Sequence, residues 1–146
     1  MIVAVPVNAQ ERVYHDNPCT SPMFAIFEIT GDRQEIRYRH TLTRLNPWAK
    51  YDGVMLKDPH MKSCTCEEQL MRNPHHISEH YGLLEAIGQC DILIVDNYCL
   101  NTLFTMKNVG INLHKIPPFL KKPSEAIEHF AVSSEIAAHL RCVHPA

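Results

Sequence analysis

The N-terminal run Ile2-Val-Ala-Val-Pro-Val7 constrains the fold of this chain more than any other segment. Its apolar, mostly β-branched residues do not alternate with polar ones, which is typical of a strand buried on both faces. A second run of this kind, Asp91-Ile-Leu-Ile-Val95, follows much later in the chain. Because strands of this type need cover above and below, the sequence predicts an α/β domain with helical layers on both faces of a sheet.

A β-hairpin is predicted next to the first strand. Met23-Phe-Ala-Ile-Phe-Glu-Ile29 is another apolar run, Gly31-Asp32 suits a turn, and the alternation from Glu35 to Leu42 indicates a half-exposed strand. The preceding segment, from Asn8 to Pro22, contains two X-Pro pairs and is predicted to be a loop.

The periodicity disappears from Thr43 to about Asn73, where Asn-Pro, Asp-Gly and Asp-Pro pairs interrupt the chain. Roughly thirty residues of irregular chain are therefore expected, and loops of this length in a compact domain are functional or disordered. Trp48, the one tryptophan, lies in this insertion. It either closes the core or forms an exposed anchor, and the burial habit of large aromatic residues favours the first alternative.

Regular structure is predicted to resume with a helix that runs to about Gln89. Its cap is Asn73 with Pro74 at the first position, or else Ser78. The elements expected after the strand at 91–95 are a helix from Tyr98 to Asn108, a strand from Ile111 to Ile116 and a helix from Pro123 to Arg141, with a break or new cap at Ser133-Ser134.

Two thiols and three imidazoles are concentrated near the end of the insertion, at Cys64, Cys66, His75, His76 and His80. Thiolate and imidazole are the side-chain groups that bind zinc, copper(I) and iron–sulfur clusters. In a helix capped by Asn73, His76 and His80 lie four residues apart on one face, a spacing that lets two imidazoles reach a common ion. The sequence therefore predicts a metal site here, the alternative being a loop that merely contains these residues.

Length and charge restrict the remaining possibilities. A chain of 146 residues fits one domain, 1–146, with the insertion at about 43–73. The formal net charge of -2 does not provide the basic surface that nucleic-acid binding requires. No basic leader and no long apolar run are found, so a cytoplasmic protein without a membrane span is predicted, and its 6 cysteines are expected to be reduced.

Several of these segments, taken together, resemble a known family. They are Met1 to Val7, Phe24 to Ile29, Leu84 to Val95, and Leu103 through Gly110-Ile-Asn-Leu113. In this pattern the chain is similar to the dinitrogenase iron–molybdenum cofactor biosynthesis family, which includes the NifX-like carriers and the C-terminal domain of NifB-like proteins. The resemblance covers residues 1–42 and about 80–132, so the Cys-x-Cys segment lies outside it.

The resemblance implies a three-layer, ribonuclease H-like fold with a mixed five-stranded sheet in the order 3-2-1-4-5, the second strand being antiparallel. It also implies a non-catalytic protein that binds or carries an iron–sulfur or iron–molybdenum type of metallocofactor intermediate, with cluster-assembly proteins as partners. Zinc is the alternative metal. Where family members carry a His-Phe-Gly motif, this chain has His15-Asp-Asn-Pro-Cys-Thr-Ser-Pro22, and Asp96-Asn-Tyr-Cys99 replaces the usual glycine-containing turn.

A second group of candidates, His15, Cys19 and Cys99, belongs to loops at the carboxyl edge between the first and fourth strands. Ligands bind at this edge in open α/β sheets, because the strand order reverses there. Cys99 would also lie in the first turn of a helix, where the positive end of the dipole favours thiolate. These three residues are predicted to bind the cofactor, and the alternative for each is a purely structural role.

The motifs of common enzyme classes are missing from the sequence. The first strand has no carboxylate, and the chain has no phosphate-binding loop, no Gly-x-Ser-x-Gly elbow and no dinucleotide fingerprint. A protein without catalytic activity is therefore predicted. The runner-up is a metal-free interaction or regulatory domain whose insertion, with Trp48 and Tyr51, docks a partner, and a thiol redox role for Cys64 and Cys66 ranks third.

Overall fold

The computed structural model describes residues 1–31, 35–47 and 66–141. No helix in these ranges is both long and apolar enough to cross a membrane. A short 3-10 turn spans Pro18–Thr20. The other regular elements within these ranges are β1 (Ile2–Val7), β2 (Met23–Gly31), β3 (Ile36–Leu45), α1 (Glu68–Met71), α2 (Pro74–Ile87), β4 (Ile92–Val95), α3 (Leu100–Asn108), β5 (Asn112–Lys115) and α4 (Pro123–Arg141).

The strands form one mixed sheet in the order β3-β2-β1-β4-β5, as predicted. At its centre, β1 pairs with β2 in antiparallel and with β4 in parallel orientation, so that Val3 lies opposite both Phe27 and Ile92. β4 and β5 are also parallel, while β2 and β3 form the antiparallel hairpin. The order therefore reverses between β1 and β4, and the loops that follow these two strands meet at one edge of the sheet.

Helices cover both faces of this sheet, which confirms the predicted three layers. Successive side chains of β1 point to opposite faces, so Ala4 packs beneath α2 and α3 while Val3 and Val5 pack against α4. On the first face, the buried side chains include Phe24, Leu83, Leu93 and Met106. On the second face, they include Ile94, Ile116, Ile127 and Phe130.

Three local predictions differ from the structure. β3 extends to Leu45, which pairs with Met23, so the ladder continues beyond Thr43 where irregular chain was expected. α1 was also expected to be irregular, but an ion pair of 2.9 Å between Arg72 and Glu68 supports this short helix. α4 runs through residues 133 and 134 without a break, since serine lowers helix stability only slightly. The predictions for Trp48 and Tyr51 lie outside the described residues.

A pair of histidines joins β5 to α4 and predicts a pH-dependent stability. His114 Nε2 lies 3.1 Å from His129 Nδ1. Burial lowers the pKa of His114, and the neighbouring His129 lowers it further. The folded protein therefore holds this proton less tightly than the unfolded chain, whose histidines titrate near pH 6.5. The stabilisation is present above about pH 6.5 and is lost as the pH falls through the lowered pKa.

Replacing His114 by Gln is accordingly expected to flatten the decrease in unfolding free energy between about pH 7 and 5. Urea denaturation at several pH values measures this slope. The exposed imidazole of His40 provides the control, and the variant His40→Gln is expected to keep the native slope. An unchanged slope in His114→Gln would show that this residue does not contribute to the acid sensitivity.

Candidate metal centre

The start of α2 fixes the position of two histidines. Asn73 caps the helix as predicted, since its side-chain oxygen accepts hydrogen bonds from the backbone N–H groups of His75 and His76 at 3.0 and 3.2 Å. Pro74 occupies the first helical position. His76 and His80 consequently lie one turn apart on the inward face, with relative exposures of 8% and 0%.

Both imidazoles are oriented so that their Nε2 atoms face thiols. His80 Nδ1 donates a hydrogen bond of 2.8 Å to the carbonyl oxygen of His76, which leaves Nε2 as the ligating nitrogen of the neutral ring. The Glu79 carboxylate lies 3.8 Å from His76 Nδ1. Metal-ligating histidines in proteins are usually held as His80 is, by a carbonyl or carboxylate that accepts a hydrogen bond from the second ring nitrogen.

Cys66 and Cys99 bring their sulfurs to these nitrogens from two directions. Cys99 follows β4 and caps α3, and its Sγ lies 3.0 Å from His80 Nε2. Cys66 precedes α1, with a left-handed φ of 51°, and its Sγ lies 3.3 Å from His76 Nε2 and 3.6 Å from His80 Nε2. The ligand atoms of Cys66, His80 and Cys99 all lie within 4.8 Å of one another, and all three residues are buried.

Cys99 and His80 shift each other's pKa inside this cluster. Burial alone would raise the pKa of the Cys99 thiol, but the hydrogen bond and positive charge of His80 outweigh it and lower the pKa to about 6. Burial likewise opposes the imidazolium, yet the contact with Cys99 raises the pKa of His80. The contact with His80 therefore favours the thiolate form of Cys99, which is the form that binds a metal cation.

Cys19 lies beside the cluster but in a different chemical state. Its Sγ is 3.8 Å from the Thr102 hydroxyl oxygen, and the same oxygen lies 3.4 Å from Cys99 Sγ. Burial and the negative charge of Cys99 raise the pKa of Cys19 to about 12. Cys19 is therefore a protonated thiol at neutral pH, at the margin of the group formed by Cys66, His80 and Cys99.

Two other residues that were predicted as ligands, His15 and His75, have their contacts outside this cluster. His15 Nδ1 lies 2.8 Å from the buried carboxylate of Asp96, at the carboxyl edge between β1 and β4. The side chain of His75 is 72% exposed and pairs with Glu79 at 2.9 Å. Cys64 lies outside the described residues. The structure thus brings together Cys66, His76, His80 and Cys99, which were predicted as members of two separate sites.

Two polar residues of the centre have no counterpart among the predicted site residues. The side-chain amide of Asn101 donates to Cys66 Sγ at 3.3 Å, and the Thr102 hydroxyl contacts Cys99. Both residues are buried, at 4% and 0% exposure. The available signal was their position two and three residues after a cysteine that begins a helix, because the first turn of such a helix surrounds its cap residue.

The sulfur and nitrogen atoms of this cluster fit one metal ion of borderline softness. With metal–sulfur bonds of about 2.3 Å and metal–nitrogen bonds of about 2.0 Å, neighbouring ligand atoms of a tetrahedral zinc site lie about 3.3 to 3.8 Å apart. The sulfur–nitrogen distances of 3.0, 3.3 and 3.6 Å fall around this range. Two cysteines and two histidines also form a frequent ligand set of structural zinc sites. The buried group of Cys66, His80 and Cys99 can therefore hold a metal ion.

Comparisons with known proteins give no independent identification. A scan against known protein families returns no match, and neither a search of curated proteins nor a search of solved structures finds a similar chain. The geometry of the centre is therefore the basis for assigning a function.

Proposed function

We propose that this protein binds one thiophilic divalent metal ion through Cys66, His76, His80 and Cys99, without catalytic activity. The observation that carries the proposal is the buried group of Cys66, His80 and Cys99, whose ligand atoms all lie within 4.8 Å of one another, with His76 Nε2 at 3.3 Å from Cys66 Sγ. With His76 as the fourth ligand, no coordination position would stay open for substrate or water, which is the arrangement of structural rather than catalytic zinc sites.

The charge of the donor set favours a divalent ion. Two thiolates and two neutral imidazoles carry a charge of about -2, which one divalent cation neutralises, whereas copper(I) would leave a net negative charge in a buried site. Zinc(II) is the preferred occupant, because it suits mixed sulfur and nitrogen ligands in tetrahedral geometry. Iron(II) has the same charge and is the next ion to test.

An iron–sulfur cluster or related metallocofactor intermediate is the second candidate, in keeping with the family resemblance. Cys19 supports it, because this residue places a third buried thiol beside the centre. The single ion is preferred since the ligand atoms of Cys66, His80 and Cys99 lie within 4.8 Å of one another, as around one atom. Ligands to the two irons of a cluster are spread more widely.

The test is elemental analysis and an absorption spectrum of full-length protein purified without oxygen, for the native chain and a Cys66→Ser, Cys99→Ser double variant. We expect one zinc per chain in the native protein and at least a tenfold loss of zinc affinity in the double variant. Cys19→Ser is the matched control, since it removes a buried thiol near the centre but none of the four ligands. This control is expected to retain one zinc per chain.

Three outcomes would contradict this assignment. Native protein that is folded but does not bind added zinc or iron(II) excludes a metal function. Iron with inorganic sulfide and visible charge-transfer bands, lost in Cys19→Ser, would replace the single ion by a cluster. Unchanged zinc binding in the double variant would place the ion elsewhere in the chain.

A further inference from the structure

We propose that Asn101 and Thr102 are positioning residues that set the affinity and electronic character of the centre by hydrogen bonding to its two thiolates. This inference rests on the proposed metal-binding function. Both residues belong to the first turn of α3, next to Cys99. One turn of helix therefore supplies a ligand and a hydrogen-bond partner for each candidate sulfur.

The contact of Asn101 is directional. Its amide nitrogen is a donor only, so the 3.3 Å contact places an N–H group on Cys66 Sγ. Cys66 comes from a distant part of the chain and adopts a left-handed φ of 51°, which is uncommon for a residue with a side chain. Asn101 lies 35 positions after Cys66 in the sequence, so this hydrogen bond ties the Cys66 sulfur to α3. The amide thereby fixes the sulfur beside His76 and His80.

Thr102 performs the corresponding role at Cys99. Its hydroxyl oxygen lies 3.4 Å from Cys99 Sγ and 3.8 Å from Cys19 Sγ, and its side chain is fully buried. A cysteine that binds a metal ion does so as a thiolate, which can only accept a hydrogen bond. In the metal-bound centre the Thr102 hydroxyl would therefore donate to Cys99 Sγ.

Hydrogen bonds to a ligating sulfur change how that sulfur binds a metal. They withdraw electron density from the thiolate, stabilise its negative charge in a buried site, and hold it in one orientation. Loss of such outer contacts typically lowers metal affinity about 10- to 100-fold. Since the sulfur also becomes a stronger electron donor, its charge-transfer transitions to a bound metal move to lower energy.

The experiment uses cobalt(II) as a spectroscopic probe and zinc in competition with a chelator, on the full chain. Asn101→Leu and Thr102→Val keep approximate side-chain size but remove the donors. For each variant we expect zinc affinity about 10- to 100-fold below native and a sulfur-to-cobalt band at longer wavelength. Thr102→Ser retains the hydroxyl and is expected to restore the native band.

Thr105→Val is the matched control, because Thr105 lies one turn further along α3 and is also buried, at 2% exposure. It makes no hydrogen bond to a thiol within the described part of the chain. A native cobalt spectrum and native affinity in both Asn101→Leu and Thr102→Val would overturn the inference while leaving the proposed function intact. Failure of the native chain to bind either metal would instead refute the proposed function.

If Thr102→Val does not fold, circular dichroism will show it, and Asn101→Leu with Thr102→Ser then decides the question. Changes in thermal stability without a shift of the cobalt band would indicate a purely structural role and would also contradict the inference.

Discussion

Saturating zinc is expected to raise the unfolding free energy of the native protein by about 4 kcal/mol when the free ion is about 1,000 times Kd. The physical reason is linkage, because the folded chain brings the proposed ligands together and the unfolded chain scatters them. His76 and His80 are fixed by α2 and Cys99 by the start of α3, so the complete site exists only after these elements pack. Urea denaturation with and without zinc measures the difference.

In the Cys66→Ser, Cys99→Ser variant the same addition of zinc is expected to leave the unfolding free energy unchanged within error. Cys19→Ser should still gain the full amount, since it keeps all four ligands. Zinc that binds the cysteines of the unfolded chain would reduce this gain in unfolding free energy. The decisive quantity is therefore the difference in the gain between the variants. Equal stabilisation of all three proteins would show that zinc binds outside this centre.

The second large effect is expected from truncation of Phe24, which is fully buried on the same face of the sheet as the metal centre. Phe24→Ala should lower the unfolding free energy by about 3 to 5 kcal/mol, because it removes a large apolar side chain and leaves a cavity beneath α2 and α3. Domains of this kind have total stabilities of about 5 to 15 kcal/mol, so a substantial fraction of the molecules could unfold at 37 °C.

Phe119→Ala supplies a control with the same chemical change at a site that is 72% exposed. Its expected effect is within about 0.5 kcal/mol of native. Chemical denaturation monitored by circular dichroism, in buffer containing a chelator, compares the two variants without a contribution from metal. Similar losses in both would mean that Phe24 is not enclosed as the structure shows.

The architecture could be predicted because its determinants are local or repeated along the chain. Ile2–Val7 and Ile92–Val95 lack polar alternation, and strands of that kind require helices on both faces. Asn73 and Pro74 mark the start of α2 by their capping chemistry alone. The extra pairing of β3 up to Leu45 was not predicted, because it depends on the partner strand rather than on the pattern of β3 itself.

The candidate site could be predicted only in pieces. The helical spacing of His76 and His80 is visible in the sequence, and both do lie on one face. The contact of Cys99 with His80 is not visible, because it depends on how α2 and α3 pack across the sheet. For the same reason Asn101, a buried amide at the start of a helix, gave no indication that it contacts Cys66. Joining the two predicted groups required the tertiary structure.

The candidate metal ligands of the helices lie in one of the two helical layers, although both layers pack on the sheet through apolar side chains. The ligands His76, His80 and Cys99 belong to one layer, whereas α4 attaches to the opposite face through apolar side chains such as Ile127 and Phe130. Departure of an ion would therefore weaken α2 and α3 and leave the sheet with α4 intact. Cooperative units of unequal stability arise in this way, and the less stable one is the part of a protein that can open to its surroundings. If the centre binds a metal ion as proposed, the layer formed by α2 and α3 is that unit in this chain.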